Sequence, residues 1–236
     1  MSAQFTRTGI LLGEANLTKL AGKHVMIAGV GGVGGYAVEA IVRAGVGKIT
    51  IIDNDVVDIT NINRQLISHL GNVGNPKVDE FAARIKLINP QVELITRNIF
   101  IDNDNLTELL SERPDYVIDC IDTVNSKLAL LVYCLRNKIK IVSSMGAGNR
   151  IDVSKVKIGD ISKTTVCALA RNIRLKLRSA GIHKGLKVVY SEETPFNKPL
   201  TVIGGGRPVN GTISYLPALF GIMLSGVVIK DLINND

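Results

Sequence analysis

Between residues 24 and 53 the sequence reads HVMIAGVGGVGGYAVEAIVRAGVGKITIID, and its apolar positions change rhythm twice. A β-branched and apolar run gives way to a glycine-rich turn at Gly29, Gly31, Gly32 and Gly34. An apolar pattern of helical period follows, and then a second apolar run that ends in Asp53. Strand, turn, helix and strand in that order open a doubly wound nucleotide-binding fold. Downstream, Gly74, Asn75 and Pro76 make a turn into a helix begun by Lys77, with Val78, Phe81, Ala82, Ile85 and Ile88 at helical spacing and Asn89 and Pro90 as its stop. Residues 92–96 read as a strand, 103–110 as a helix, 116–121 as a buried strand, 127–135 as a helix and 139–144 as the next strand. This alternation predicts an α/β fold with a doubly wound, mostly parallel sheet of Rossmann type.

Beyond residue 150 the pattern changes. A short strand over 155–158 leads to an amphipathic helix with Val166, Leu169, Ile173 and Leu177 on its apolar face, then to a strand over 186–190. Residues 192–211, with Pro195, Pro199 and Pro208, form a loop long enough to be functional or mobile. The uncharged stretch 212–229 approaches the length of a membrane span. Pro217, Gly221, Ser225 and Gly226 interrupt it, so it predicts a buried or dimer-interface helix and no membrane contact. The chain reads as one domain, 1–236: an N-terminal segment (1–22) too poor in apolar residues to fold alone, a nucleotide-binding core (23–150), and a substrate-binding and dimer-forming portion (151–236).

Composition narrows the setting. With 46% hydrophobic and 21% charged residues the chain is an ordinary globular protein. Its three cysteines, Cys120, Cys134 and Cys167, form no CxxC pair, which excludes a four-cysteine zinc site and a disulfide scaffold. The N-terminus has no signal-peptide core, so a cytoplasmic location is expected. The net charge of +7 equals the seven cations between residues 161 and 191, where no acid occurs: Lys163, Arg171, Arg174, Lys176, Arg178, Lys184 and Lys187. Such a block is either a footprint for a polyanion or a solvated face.

Each glycine of the turn has a predicted task. Gly29 permits the turn, Gly31 lets backbone approach a phosphate, and Gly34 lets helix and strand pack closely. Asp53 is placed to accept hydrogen bonds from a ribose. Asp55, Asn61, Arg64, Lys77 and Asp122 follow strand ends or open helices at the same edge, where open α/β sheets bind ligands. A dehydrogenase needs the glycines and the ribose acid, but has no requirement for Asn-x-x-Arg followed by Lys. Activation of a carboxylate by ATP does, because charge builds on the α-phosphate as pyrophosphate leaves. Arg64 can hold two phosphate oxygens, Lys77 offers a compact charge, and Asp122 can hold a hard cation. Taken singly, these could be a surface ion pair, a solvated helix start and a helix cap. Only His24, His69 and His183 occur, none beside this edge, so no histidine acid-base pair is predicted. Cys120 and Cys134 read as core. Cys167 opens a basic helix that could lower its pKa, which leaves a nucleophile or a packing residue as readings.

The run GVGGVGGYAVEAIVRAGVGKITIID, then NINRQ, NPKV and DCIDTVNSK, closely resembles the ubiquitin-activating-type adenylyltransferases, the superfamily of ThiF, MoeB and HesA. That resemblance implies a ribose-binding Asp53, phosphate contacts from Asn61, Arg64 and Lys77, and magnesium at Asp122. It also implies an N-terminal arginine reaching across a homodimer to the partner's ATP, for which Arg7 is the candidate. SSMGAGNRID, DISKTTVCALARNIRLKLRSAGI and KVVYSEETP resemble one branch, the tRNA threonylcarbamoyladenosine dehydratases. Members of that branch adenylate the threonylcarbamoyl carboxylate on an anticodon-loop adenosine, then close a ring with loss of water. The branch implies tRNA as the partner of Arg171, Arg174, Lys176, Arg178, Lys184 and Lys187. It further implies a monovalent cation, K+ or Na+, near Ser143, Met145 and Gly146, and leaves open a sulfur-transfer protein acting on Cys167. Two alternatives stand beside it: an activator of a ubiquitin-like sulfur carrier, and a nucleotide-sensing module or NAD-dependent dehydrogenase.

Overall fold

The computed structural model describes residues 3–196 and 210–234. Seven strands form one sheet: β1 (His24–Ala28), β2 (Lys48–Ile52), β3 (Glu93–Arg97), β4 (Tyr116–Asp119), β5 (Ile141–Ser144), β6 (Val156–Asp160) and β7 (Lys187–Ser191). Their order is β3-β2-β1-β4-β5-β7-β6. Every neighbouring pair is parallel except β6 with β7. The strand order reverses between β1 and β4, and the crevice beyond their carboxyl ends is where such sheets take ligands.

Two apolar cores lie on the two faces. In β1, Val25 and Ile27 enter the core with α3 (Gly34–Arg43), α4 (Lys77–Ile88) and α8 (Tyr215–Asn234). Met26 and Ala28 enter the other, built with α5 (Leu106–Leu109), α6 (Val124–Arg136) and α7 (Ala168–Ser179). This is the alternation a pleated strand imposes. The N-terminal segment folds as α1 (Thr6–Leu12) and α2 (Glu14–Ala21), and buries Leu17 and Leu20.

Some expected elements shift. The strand predicted over 116–121 stops at Asp119, which leaves Cys120 in the following loop. The helix predicted over 103–110 shrinks to Leu106–Leu109, because the Asp102 carboxylate accepts from the amides of Asp104 and Asn105 and turns the chain first. Val166 is not on the apolar face of α7: it has a left-handed φ of 46° and is 51% exposed, and Ala170, Ile173 and Leu177 take that face. The apolar stretch near the end becomes α8, whose Leu216, Phe220, Leu224, Val228 and Leu232 are buried within this chain's own core. It is long and apolar enough to cross a membrane by composition, yet half of it is buried inside the fold. Ser225 Oγ anchors it to Ala37 O of α3 at 3.1 Å. Of the predicted loop over 192–211, residues 197–209, including Pro199 and Pro208, lie outside the described residues.

Candidate functional site

A cleft of about 1040 Å³ opens at the switch point. Its floor is the turn between β1 and α3. Gly29 adopts φ +84°, and a side chain at Gly34 would put its Cβ 1.7 Å from Gly29 O, so the expected close packing is present. Gly29, Gly31 and Gly32 line the cleft, whereas Gly34 lies behind it, against Gly29 and Cys120. The amides at the start of α3 favour an anion there.

Asp53 ends the strand beside this turn. Its Oδ2 accepts from the Val30 amide at 2.7 Å and its Oδ1 from the Asp55 amide at 2.8 Å. Burial raises its pKa above the usual aspartate value, while Lys77 and the two amides pull the other way. From sequence Lys77 is a compact charge at a helix start. In the structure it is buried, and its Nζ donates to Asp55 Oδ2 at 2.8 Å. The Asp55 carboxylate is 64% exposed, so the pair sits at the cleft surface on its acidic side.

Asn61 and Arg64 come from the short helical turn after β2. Asp58 caps that turn through the Thr60 amide at 2.8 Å, and Asn61 Oδ1 accepts from the Asp58 amide at 3.2 Å. Arg64 Nη1 donates to Thr60 O at 2.8 Å and Asn63 Oδ1 at 2.9 Å. Among the described residues no acceptor meets its Nε or Nη2. Its stem lies over Gly32, whose added Cβ would stand 3.4 Å from Arg64 Cγ. Asp122 is exposed in the cleft lining that follows β4, and among the described residues only Thr123 Oγ1 stands against it, at 3.4 Å. The cleft thus gathers Arg64, the Lys77–Asp55 pair and the exposed Asp122 carboxylate around a glycine turn. That arrangement suits a polyphosphate with a bound hard cation.

Other lining residues escaped the sequence reading. Gln65 is 8% exposed, and its Oε1 has no partner among the described residues. Its signal was its place one residue after Arg64. Ile99, Phe100 and Ile101 follow β3 and give the cleft an apolar wall of the kind a purine ring lies against. Around Ser143, Met145 and Gly146, where a monovalent cation is expected, several polar groups bond within the chain. Met145 O accepts from Ser144 Oγ at 3.0 Å, and Ser143 Oγ donates to Asp119 at 2.5 Å. Arg150, 5% exposed, donates through Nη1 to Gly146 O and Gly148 O, each at 3.0 Å. A guanidinium of the chain itself thus lies against the Gly146 and Gly148 carbonyls.

The remaining predicted residues are not gathered at the cleft. Arg7 is exposed on α1 and does not line it. Cys167 caps α7, 2% exposed, and a Cβ on Gly146 would stand 3.6 Å from its Sγ, so it packs behind the cleft wall. Cys134 is core, its thiol pushed up to about 12 by burial; Cys120, expected in the core, is instead partly buried in the loop after β4 and lines the cleft, with burial raising its thiol pKa as well. The basic block divides. Arg171 is exposed beside Leu169, a lining residue; Arg174 turns inward and donates to Thr164 O at 2.9 Å. Lys176 and Arg178 are exposed further along α7. Lys184 and Lys187 sit at the other end, where Lys187 opens β7 and pairs with Asp231 at 2.6 Å.

The sequence pattern that defines the ThiF family matches residues 5–236. The tRNA threonylcarbamoyladenosine dehydratase of Bacillus subtilis is 39% identical over all of this chain and 96% of its own length. The crystal structure of E. coli tRNA N6-threonylcarbamoyladenosine dehydratase in complex with AMP superposes with a TM-score of 0.90 at 36% identity, covering 97% of this chain and 93% of that one. The complex of that enzyme with ATP gives a TM-score of 0.87 at 36% identity over the same shares. The switch-point cleft, its glycine turn and these likenesses agree: the chain belongs to the ThiF family.

Proposed function

We propose that this protein is an ATP-dependent tRNA threonylcarbamoyladenosine dehydratase. The observation that carries the reading is one cleft lined together by the glycine turn, Asp53, Asn61, Arg64, Lys77 and Asp122. Likeness to named dehydratases over the whole chain supports the substrate.

In this reading Asp53 accepts from the ribose hydroxyls, and Asn61, Arg64 and the amides of the glycine turn hold the phosphates. The threonylcarbamoyl carboxylate attacks the α-phosphorus, and the bond to pyrophosphate breaks. Arg64 and Lys77 stabilise the charge that gathers on the phosphate oxygens. An atom of the same substituent then attacks the activated carbonyl carbon, the ring closes, and AMP leaves with the former carboxylate oxygen. Water is thereby removed at the expense of ATP. Asp122, an exposed carboxylate in the cleft lining, is the residue that would hold a magnesium ion. Such an ion would supply further neutralisation of phosphate charge.

The exposed cations of α7 dock the tRNA backbone. The protein works as a cytoplasmic homodimer. Arg7, which does not line its own cleft, serves the ATP of the partner subunit. The test is mass spectrometry of nucleosides from threonylcarbamoylated tRNA incubated with protein, ATP, magnesium and potassium. Loss of one water with release of AMP and pyrophosphate is expected; an unchanged nucleoside without AMP rejects the reading. Pyrophosphate exchange driven by a ubiquitin-like protein would mark a sulfur-carrier activator instead.

A further inference from the structure

Below the cleft floor, β4, β5 and α6 share a charged cluster sealed from solvent. Lys127 and Asp119 both have side chains with 0% exposure, and Lys127 Nζ donates to Asp119 Oδ2 at 2.6 Å. Ser143 Oγ donates to the same oxygen at 2.5 Å, and Lys127 Nζ also reaches Ser143 Oγ at 3.2 Å. Apolar residues of similar volume would serve stability as well or better, because desolvating an ion pair offsets its attraction. Stability therefore does not account for the cluster.

The other oxygen of Asp119 points to its use. Oδ1 accepts from the backbone amide of Ile121 at 3.1 Å. Residues 120–123 form one cleft wall and carry Asp122. At one end of this loop the Cys120 amide donates to Ala28 O at 2.8 Å, and the Cys120 carbonyl group is the nearest to Gly29, 3.0 Å from where a Cβ would stand. At the other end the Lys127 amide donates to Thr123 O at 3.0 Å. One carboxylate is thus fixed below by a buried ammonium and hydroxyl, and holds above it the peptide on which Asp122 and the glycine turn both rest.

We infer that Asp119 is a positioning residue for the nucleotide cleft: locked by Lys127 and Ser143, it sets the Ile121 peptide and so the direction of Asp122 and the seat of the glycine turn. The inference rests on the cleft being the ATP site. Neither Asp119 nor Lys127 lines the cleft, so both act through the loop.

Single substitutions would strand a buried charge, so the test compares two neutral pairs. In Asp119→Asn with Lys127→Met the amide oxygen still accepts from Ile121, and Nδ2 can donate to Ser143. In Asp119→Leu with Lys127→Met no acceptor remains. Thermal melts establish that both fold; calorimetry then gives ATP affinity, and turnover gives KM and kcat. The asparagine pair is expected to bind ATP within about threefold of the unsubstituted chain. The leucine pair is expected to lose about tenfold or more, the size of one hydrogen bond to a buried amide, with a raised KM for ATP and an unchanged KM for tRNA. Equal ATP affinities for the two pairs, whether intact or both weakened, overturn the inference. Hydrogen exchange in the unsubstituted chain tests it independently of any variant: the Ile121 amide should be protected as strongly as those of β4, and exchange at loop rates overturns it. Failure of the unsubstituted chain to turn over tRNA would reject the proposed substrate alone, since the ATP comparison needs no tRNA.

Discussion

Arg64 reaches the cleft with two guanidinium nitrogens that meet no acceptor among the described residues, and a planar fork is what two phosphate oxygens require. Replacing it with alanine is expected to lower kcat about a hundred- to a thousandfold at saturating substrate, as loss of one preorganised donor commonly does. Lysine should restore little. Release of pyrophosphate measures both, and a loss under about fivefold would remove Arg64 from the transition state. Asp53 predicts a pH dependence. Burial raises its folded pKa, so its contribution to stability is present below that pKa and lost as pH rises through it. ATP binding runs the other way, because the ionised carboxylate must accept from ribose. Affinity should therefore fall on acidification at a pH above the ordinary aspartate value of about 3.9, and Asp53→Asn should flatten the profile. Calorimetric titrations from neutral to mildly acidic pH check this. Asp53 and Asp122 were legible because each follows an apolar strand run, and Asn61 and Arg64 because they lie in the polar segment beyond the carboxyl end of β2. The bond of Lys77 to Asp55 and the Asp119–Lys127–Ser143 cluster were not: both are cross-element pairings, and a sequence does not say which acid meets which base.

At the scale of elements, periodicity found nearly every strand and helix but misplaced their ends. Val166 fits the repeat of α7, yet its left-handed backbone and the Cys167 amide bonding Thr165 O start the helix two residues later. Hydropathy marked α8 as buried without saying by what. The sheet and α3 of the same chain cover it, and Phe220 has no exposure. Phe220→Ala is expected to cost about 3–5 kcal/mol, as emptying an aromatic site in a core usually does. Denaturant titration would measure it, and a loss below about 1 kcal/mol would mean that α8 packs elsewhere.

At the scale of the whole molecule, a site that borrows Arg7 from a second copy makes a sharp prediction. Arg7→Ala and Arg64→Ala chains should each be nearly inactive, yet a mixture of the two should regain activity, because one kind of mixed dimer contains an intact site. No recovery after subunit exchange would place Arg7 outside the mechanism. Removing Arg171, Lys176 and Arg178 together should raise KM for tRNA and flatten its dependence on salt, by about one unit of log-log slope for each phosphate no longer neutralised. An unchanged slope would make these cations a solvated helix face. The 12 residues of α7 give it a length of about 18 Å, with Arg171 at the cleft end and Lys184 beyond the other. An RNA held at both ends must run along the axis of α7, and the reacting nucleoside then sits at one end of the docked surface. The substrate would be read end-on, as a hairpin offers the tip of its loop.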